Sequence, residues 1–133
     1  MGNYHLQVND IMHTDIATIL EDATVQEAAA QMRFEGVRSL IVILPKESGA
    51  WGIVTYADIT GKVIAQQLDP YQVHVHEIMI NPAQTVPAQL SVRELAQLFW
   101  ENKFGHAPVV DGANLVGVVS MTDLVTEVIS EPE

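Results

Sequence analysis

Gly52-Ile53-Val54-Thr55-Tyr56-Ala57-Asp58 and Gly117-Val118-Val119-Ser120-Met121-Thr122-Asp123 are two versions of one pattern. Each has a glycine, a β-branched apolar run, a hydroxyl residue, and an aspartate three positions beyond that hydroxyl. The apolar run reads as a buried strand. The hydroxyl-x-x-Asp that follows reads as a helix start, because a short side-chain oxygen and an acidic residue suit the free N–H groups and the dipole of a first turn. The chain is thus expected to turn from strand to helix in the same way twice.

Working upstream, the same doubling continues. Leu40-Ile41-Val42-Ile43-Leu44 and Ala107-Pro108-Val109-Val110 are too short for helices and read as buried strands. They are joined to the next strands through the turns at Pro45 to Ala50 and Asp111-Gly112-Ala113-Asn114. Before them, Thr24-Val25-Gln26-Glu27 and Ser91-Val92-Arg93-Glu94 are capping boxes. They are followed by the apolar stripes Val25, Ala28, Ala29, Met32 and Val92, Leu95, Ala96, Phe99 at helical spacing. Earlier still, Val8-Asn9-Asp10-Ile11-Met12 returns as Val75-His76-Glu77-Ile78-Met79. Downstream, each half closes on a helical pattern, around Ile59, Val63 and Ile64 and around Leu124, Val125 and Val128.

The unit read this way is strand, helix, strand, strand, helix. Asp69-Pro70-Tyr71 is the linker, since proline bars helix continuation, and it divides the chain into halves 1–68 and 69–133. A half of about 65 residues buries little surface alone, so two halves sharing a core across their sheets form the expected folding unit. The fold class is α/β, of the mixed α+β kind.

Composition removes several function classes. The chain is 48% hydrophobic and 17% charged, which reads as globular. Without cysteine it has neither disulfides nor thiolate chemistry. Seventeen acidic against six basic residues, a formal charge of −11, disfavour a nucleic-acid partner. No stretch approaches the roughly 20 apolar residues of a membrane helix, and the start MGNYHLQVND lacks a signal pattern. A soluble, cytoplasmic protein without a membrane partner is expected.

Asp10-Ile11-Met12 and Glu77-Ile78-Met79 at the openings, His106-Ala107-Pro108-Val109-Val110-Asp111 midway, and the two Gly-to-Asp segments at the ends together resemble a tandem pair of cystathionine beta-synthase (CBS) domains, a Bateman module. The resemblance covers nearly the whole chain, and its force lies in several weak motifs recurring in order. It implies two pseudo-twofold related β-α-β-β-α repeats packed through their sheets. It also implies a homodimer, and inter-repeat clefts that in related proteins take AMP, ADP, ATP, S-adenosylmethionine or dinucleotides.

By that resemblance, Asp58 and Asp123 hold the ribose hydroxyls, with Thr55 and Ser120 beside them. Ile16, Ala17, Ala83 and Gln84 form the adenine slots, and Arg38 and His106 stand near phosphate at one repeat position, given one extra residue in the second helix-to-strand turn. Ile16 and Ala17 are expected to face Ser120 and Asp123, and Ala83 and Gln84 to join Thr55 and Asp58. Read without the family, Thr55 and Ser120 are ordinary helix caps whose aspartates favour the dipole. Scarcity of cations beyond Arg38, Lys62 and Lys103 favours AMP, S-adenosylmethionine or a dinucleotide over ATP.

No serine elbow, Walker loop or zinc motif is present, which argues against an enzyme and against a required cofactor. The expected role is a regulatory sensor that takes an adenosine nucleotide or S-adenosylmethionine and acts on an unidentified protein partner. The alternative is a structural homodimerisation module with vestigial, empty clefts. His74-Val75-His76-Glu77 is discounted as a metal site: alternating residues share a side only in extended chain, and no distant third ligand is evident. It reads as an exposed linker. Phe99, Trp100 and Phe104 read as core and dimer surface.

Overall fold

The computed structural model describes residues 2–129 and contains two compact units, Ile16–Ala83 and the remaining described residues on either side of it. In chain order the elements are α1 (Val8–Ile11), β1 (Thr18–Leu20), α2 (Val25–Glu35), β2 (Ser39–Ile43), β3 (Gly52–Thr55), α3 (Tyr56–Ile59), α4 (Val75–Ile78), β4 (Val86–Pro87), α5 (Val92–Asn102), β5 (His106–Asp111), β6 (Asn114–Ser120) and α6 (Met121–Val128). The expected strand, helix, strand, strand, helix order holds in both halves. The first closing helix is short, however, and continues as the π-helical turn Thr60–Ile64, whereas α6 is regular throughout.

Each unit contains one three-stranded sheet, β1-β2-β3 or β4-β5-β6. In both, the first pair is parallel and the second antiparallel: Ile19 lies beside Val42 and Ile41 opposite Ile53, Val86 beside Val109 and Ala107 opposite Val119. A parallel pair needs a crossover, and α2 and α5 supply it. Thr24 caps α2 by accepting from the Glu27 N–H, and the Glu27 carboxylate accepts from the Thr24 N–H. The box expected at Ser91 is only half closed. Its hydroxyl accepts from the Glu94 N–H, but the Glu94 carboxylate accepts from the Ser91 hydroxyl rather than from the Ser91 backbone N–H.

The stripes read from the sequence fill the cores. Val25, Ala28 and Met32 pack with Leu40, Val42, Val54, Ile59 and Val63 in one unit. Val92, Leu95 and Phe99 pack with Ala107, Val109, Val119, Leu124 and Val128 in the other. Burial of a side chain such as Leu95 or Met32 contributes about 2 kcal/mol. Ala29 and Ala96, counted with the stripes, are exposed instead.

The short helix that opens each sequence half joins the core built by the other half. Val8 and Ile11 of α1 are buried with β4-β5-β6, and Val75 and Ile78 of α4 with β1-β2-β3. After each helix the chain runs along the closing strand. His13 exchanges two backbone hydrogen bonds with Val118, both 2.9 Å, and Ile80 does so with Ile53 at 2.9 and 3.0 Å. This contact explains the duplicated glycine and methionine. A Cβ on Gly117 would lie 2.7 Å from Met12 Sδ and 2.8 Å from the His13 carbonyl oxygen, and one on Gly52 would lie 2.9 Å from Met79 Sδ.

The match expected between Arg38 and His106 is corrected by the strand register. Ser39 lies opposite Thr55 and His106 opposite Ser120. The Arg38 carbonyl accepts from the Tyr56 N–H just as the Gly105 carbonyl accepts from Met121. Ser39 is therefore the partner position of His106, and Arg38 that of Gly105. No extra residue is present, because left-handed caps at Gly36 and Lys103 end α2 and α5 at the same distance from the next strand. The Asp69-Pro70-Tyr71 linker is an ordered turn, in which the Pro70 carbonyl accepts from the Gln26 N–H at 2.9 Å. The chain ends assigned to the halves, residue 1 and residues 130–133, lie outside the described residues.

Gly117→Ala is expected to lower stability by about 1 to 3 kcal/mol through overpacking against the His13 carbonyl. Gly61→Ala, in a helical turn with open space around it, should raise stability by up to about 1 kcal/mol. Paired urea denaturation curves check both signs.

Candidate ribose-binding aspartates

Strand β3 ends at Thr55 and β6 at Ser120, and each hydroxyl residue caps the helix that follows without an intervening loop. Thr55 Oγ1 accepts from the Asp58 N–H at 3.3 Å and Ser120 Oγ from the Asp123 N–H at 3.2 Å. In return, one oxygen of each carboxylate closes the box. Asp58 Oδ2 accepts from the Thr55 N–H and hydroxyl at 2.9 and 3.1 Å, and Asp123 Oδ2 from those of Ser120 at 2.7 and 2.9 Å. Both aspartates are buried, each 7% exposed, which a carboxylate tolerates only when its oxygens are paired.

The other oxygen is handled differently in the two units. Asp58 Oδ1 faces Lys62 Nζ at 3.1 Å, and that ammonium also donates to the Ile78 carbonyl at 2.7 Å. Asp123 Oδ1 faces His13 Nε2 at 2.6 Å. In both cases the cation or imidazole ties the carboxylate to a segment that opens a sequence half: through the last residue of α4 in one unit, and through the residue after Met12 in the other. Lys62 was legible as a cation one turn beyond Asp58. His13 was missed, because only the backbone pairing of His13 with Val118 brings it beside Asp123.

The sequence-predicted site residues divide between the units. Ile16, Ala17, Arg38, Thr55, Asp58 and Ala83 belong to one, and Gln84, His106, Ser120 and Asp123 to the other. Ala17 is half-buried with its carbonyl accepting from the Ile41 N–H, and Ala83 is buried with its N–H donating to the Trp51 carbonyl at 2.7 Å. Ile16 and His106 are half-buried, whereas Arg38 and Gln84 are exposed. Neither side chain of the buried aspartate pairs is free of the fold: each serves as helix cap as well as candidate ligand group.

The expected linker His74 to Glu77 is not a linker. His74 is the cap residue of α4, Val75 is fully buried, and the Glu77 carboxylate accepts from the His74 N–H at 2.7 Å. That backbone bond, opposed by desolvation, holds Glu77 below the usual carboxylate range. Phe99 is core with Phe104 edge-on against it, while Trp100 stands 77% exposed beneath the Lys103 ammonium. Among the described residues no helix is long and apolar enough to cross a membrane.

The repeated fold and the paired aspartates define a tandem module, and the family match agrees. The chain belongs to the CBS domain family, whose model matches residues 8–65 and again 75–130. It is 34% identical over 118 residues to the CBS domain-containing protein YhcV of Bacillus subtilis, covering 88% of this chain and 81% of that one. It is 30% identical over 120 residues to an uncharacterised protein of Methanopyrus kandleri, covering 90% of this chain but only 61% of that relative's length. Among solved structures, the hexameric CBS-CP12 protein from bloom-forming cyanobacteria superposes with a TM-score of 0.87 at 38% identity, over 90% of this chain and 66% of that one. A CBS domain protein of Pyrobaculum aerophilum complexed with AMP shares the fold with a TM-score of 0.77 at 23% identity, over 89% of each chain.

Ser120→Ala removes the cap oxygen and is expected to cost about 1 kcal/mol. Lys62→Met should cost less, below about 1 kcal/mol, because Lys62 is half exposed to solvent. Thermal unfolding of the two variants side by side tests this order.

Proposed function

We propose that the chain is a non-catalytic regulatory module that holds an adenosine-containing ligand at Asp58 and Asp123 and passes its occupancy to a protein partner. The observation that carries this reading is the repeated division of the carboxylate. Oδ2 is locked into the cap, while Oδ1 meets a side chain, Lys62 or His13, that can yield to a pair of ribose hydroxyls. A fixed carboxylate with one exchangeable partner suits a vicinal diol. The AMP complex of the Pyrobaculum relative supports the ligand class.

Arg38 and Gln84, both exposed, remain candidates for phosphate and adenine contacts, as do Ile16, Ala17, Ala83 and His106. With six basic residues against seventeen acidic ones, few cations are available for a triphosphate. AMP, S-adenosylmethionine or a dinucleotide is favoured over ATP.

The reading as a homodimerisation module draws on a different observation. A groove of about 710 Å³ between α2 and the π-helical turn is lined by Ala29, Ala30, Phe34, Ile64 and Leu68. Phe34 is 91% exposed there. In the other unit Trp100, Val125 and Ile129 are likewise exposed. Such apolar helical surface suits a second copy of the chain, and the hexameric cyanobacterial relative supports self-association. The two roles are compatible in one module.

Ligand at 100 times its dissociation constant adds about 2.7 kcal/mol to folding stability. A thermal-shift screen of AMP, S-adenosylmethionine, NAD and ATP is therefore expected to give a shift of several degrees with one of the first three. Asp58→Ala and Asp123→Ala should diminish it. Flat curves throughout would leave dimerisation as the function. Phe34→Glu is expected to lower the mass measured by light scattering.

A further inference from the structure

The segment His74-Val75-His76-Glu77 has chemistry that the fold does not require. Its counterpart at the start of the other half is Gln7-Val8-Asn9-Asp10. In both, the acidic residue at the end accepts from the backbone N–H at the beginning, Asp10 Oδ2 from Gln7 at 2.8 Å and Glu77 Oε2 from His74 at 2.7 Å. Val8 and Val75 are the buried anchors. In the first half the same capping box is closed by Gln7 and Asp10 around a buried valine, so a glutamine at the cap position does what His74 does there, and His76 at the second helical position takes no part in the box.

The objections that count against this segment in sequence are both met in the structure. His74 has an extended backbone, with φ −97° and ψ 154°. This brings the imidazoles of His74 and His76 onto one side, stacked with centroids 5.6 Å apart and planes 10° from parallel. The third group comes from the next residue: Glu77 Oε2 lies 3.5 Å from His74 Nδ1. One ligand atom from each of the three side chains lies within 4.8 Å of the others. His76 and Glu77 are exposed and His74 is half-buried, so small side-chain rotations can close the set around one ion.

We propose that His74, His76 and Glu77 form a surface site for a divalent transition-metal ion of the zinc, nickel or copper type. Two imidazole nitrogens and one carboxylate oxygen select such borderline ions over magnesium or calcium, which prefer oxygen alone. Three protein ligands leave a coordination position open to water or to an incoming group. Glu77 is pre-positioned by its backbone hydrogen bond, in which the carboxylate accepts from the His74 N–H at 2.7 Å. The His76 N–H donates to the Glu21 carbonyl at 2.9 Å, and Thr24, whose cap holds Glu27, bridges to His74. The site stands apart from Asp58 and Asp123 in its residues and does not depend on the adenosine reading.

Calorimetric titration of the full chain with zinc chloride alone tests the proposal, with magnesium chloride as control. The comparison protein is the double variant His74→Gln, His76→Asn, which installs the side chains the first half already carries at those positions. Wild type is expected to take up one Zn²⁺ per chain and no Mg²⁺, and the double variant to bind Zn²⁺ about tenfold more weakly or worse, with its metal-free melting curve unchanged. The single variant His76→Asn, altering only an exposed ring, gives the same readout if the double variant folds poorly. Absence of zinc binding in wild type, or equal binding in the variants, which would place the ion at His5, His13 or His106, overturns the proposal.

Discussion

The structure turns on a carboxylate with two oxygens and two obligations. In Asp58 and Asp123, Oδ2 completes the cap that lets a strand become a helix within one residue. Oδ1 reaches a side chain tied to the segment that opens a sequence half. Burial makes the cap bonds at Oδ2 necessary, while the partners at Oδ1, Lys62 and His13, are themselves exposed to solvent and contribute less. The same group therefore joins strand, helix and opening segment, and it is also the group whose chemistry suits a ribose.

The glycine and methionine of the repeat belong to this arrangement. The opening chain lies so close along the closing strand that a Cβ at Gly117 would meet the His13 carbonyl, and at both Gly52 and Gly117 the thioethers of Met79 and Met12 fill the space a side chain would take. Methionine is suited to such a gap because it is unbranched and adaptable. Each half thus supplies the sheet of one core and the opening helix of the other. A mutation in an opening segment should be felt in the unit to which that segment is tied, not in its own sequence half.

Much of this was legible in the sequence because it rests on local pattern. The stripe Val25, Ala28, Met32, the strand Leu40 to Ile43 and the Thr55-x-x-Asp58 cap each follow from side-chain periodicity and the needs of free backbone groups. Family resemblance supplied the ribose-binding role proposed for the aspartates. What was not legible depends on register and on long-range pairing. The extra residue assumed between Arg38 and His106 fails because Gly36 and Lys103 both adopt a left-handed cap, and a lysine gives no sequence sign of doing so. His13 reaches Asp123 only through pairing across most of the chain. The histidines of His74 and His76 were visible, but their common side was not, since it depends on the backbone angles of a single cap residue.

The central claim is that a ribose diol displaces the exchangeable partner of Oδ1 and leaves the cap at Oδ2 intact. Titration of isotopically labelled protein with AMP, followed by nuclear magnetic resonance, tests it most directly. The account predicts that the His13 ring and the Lys62 ammonium resonances move as ligand is added, while the backbone amides of Thr55 and Ser120 keep the downfield positions of strongly hydrogen-bonded groups. Saturable binding that leaves His13 and Lys62 undisturbed, or that releases the two cap amides, would contradict it.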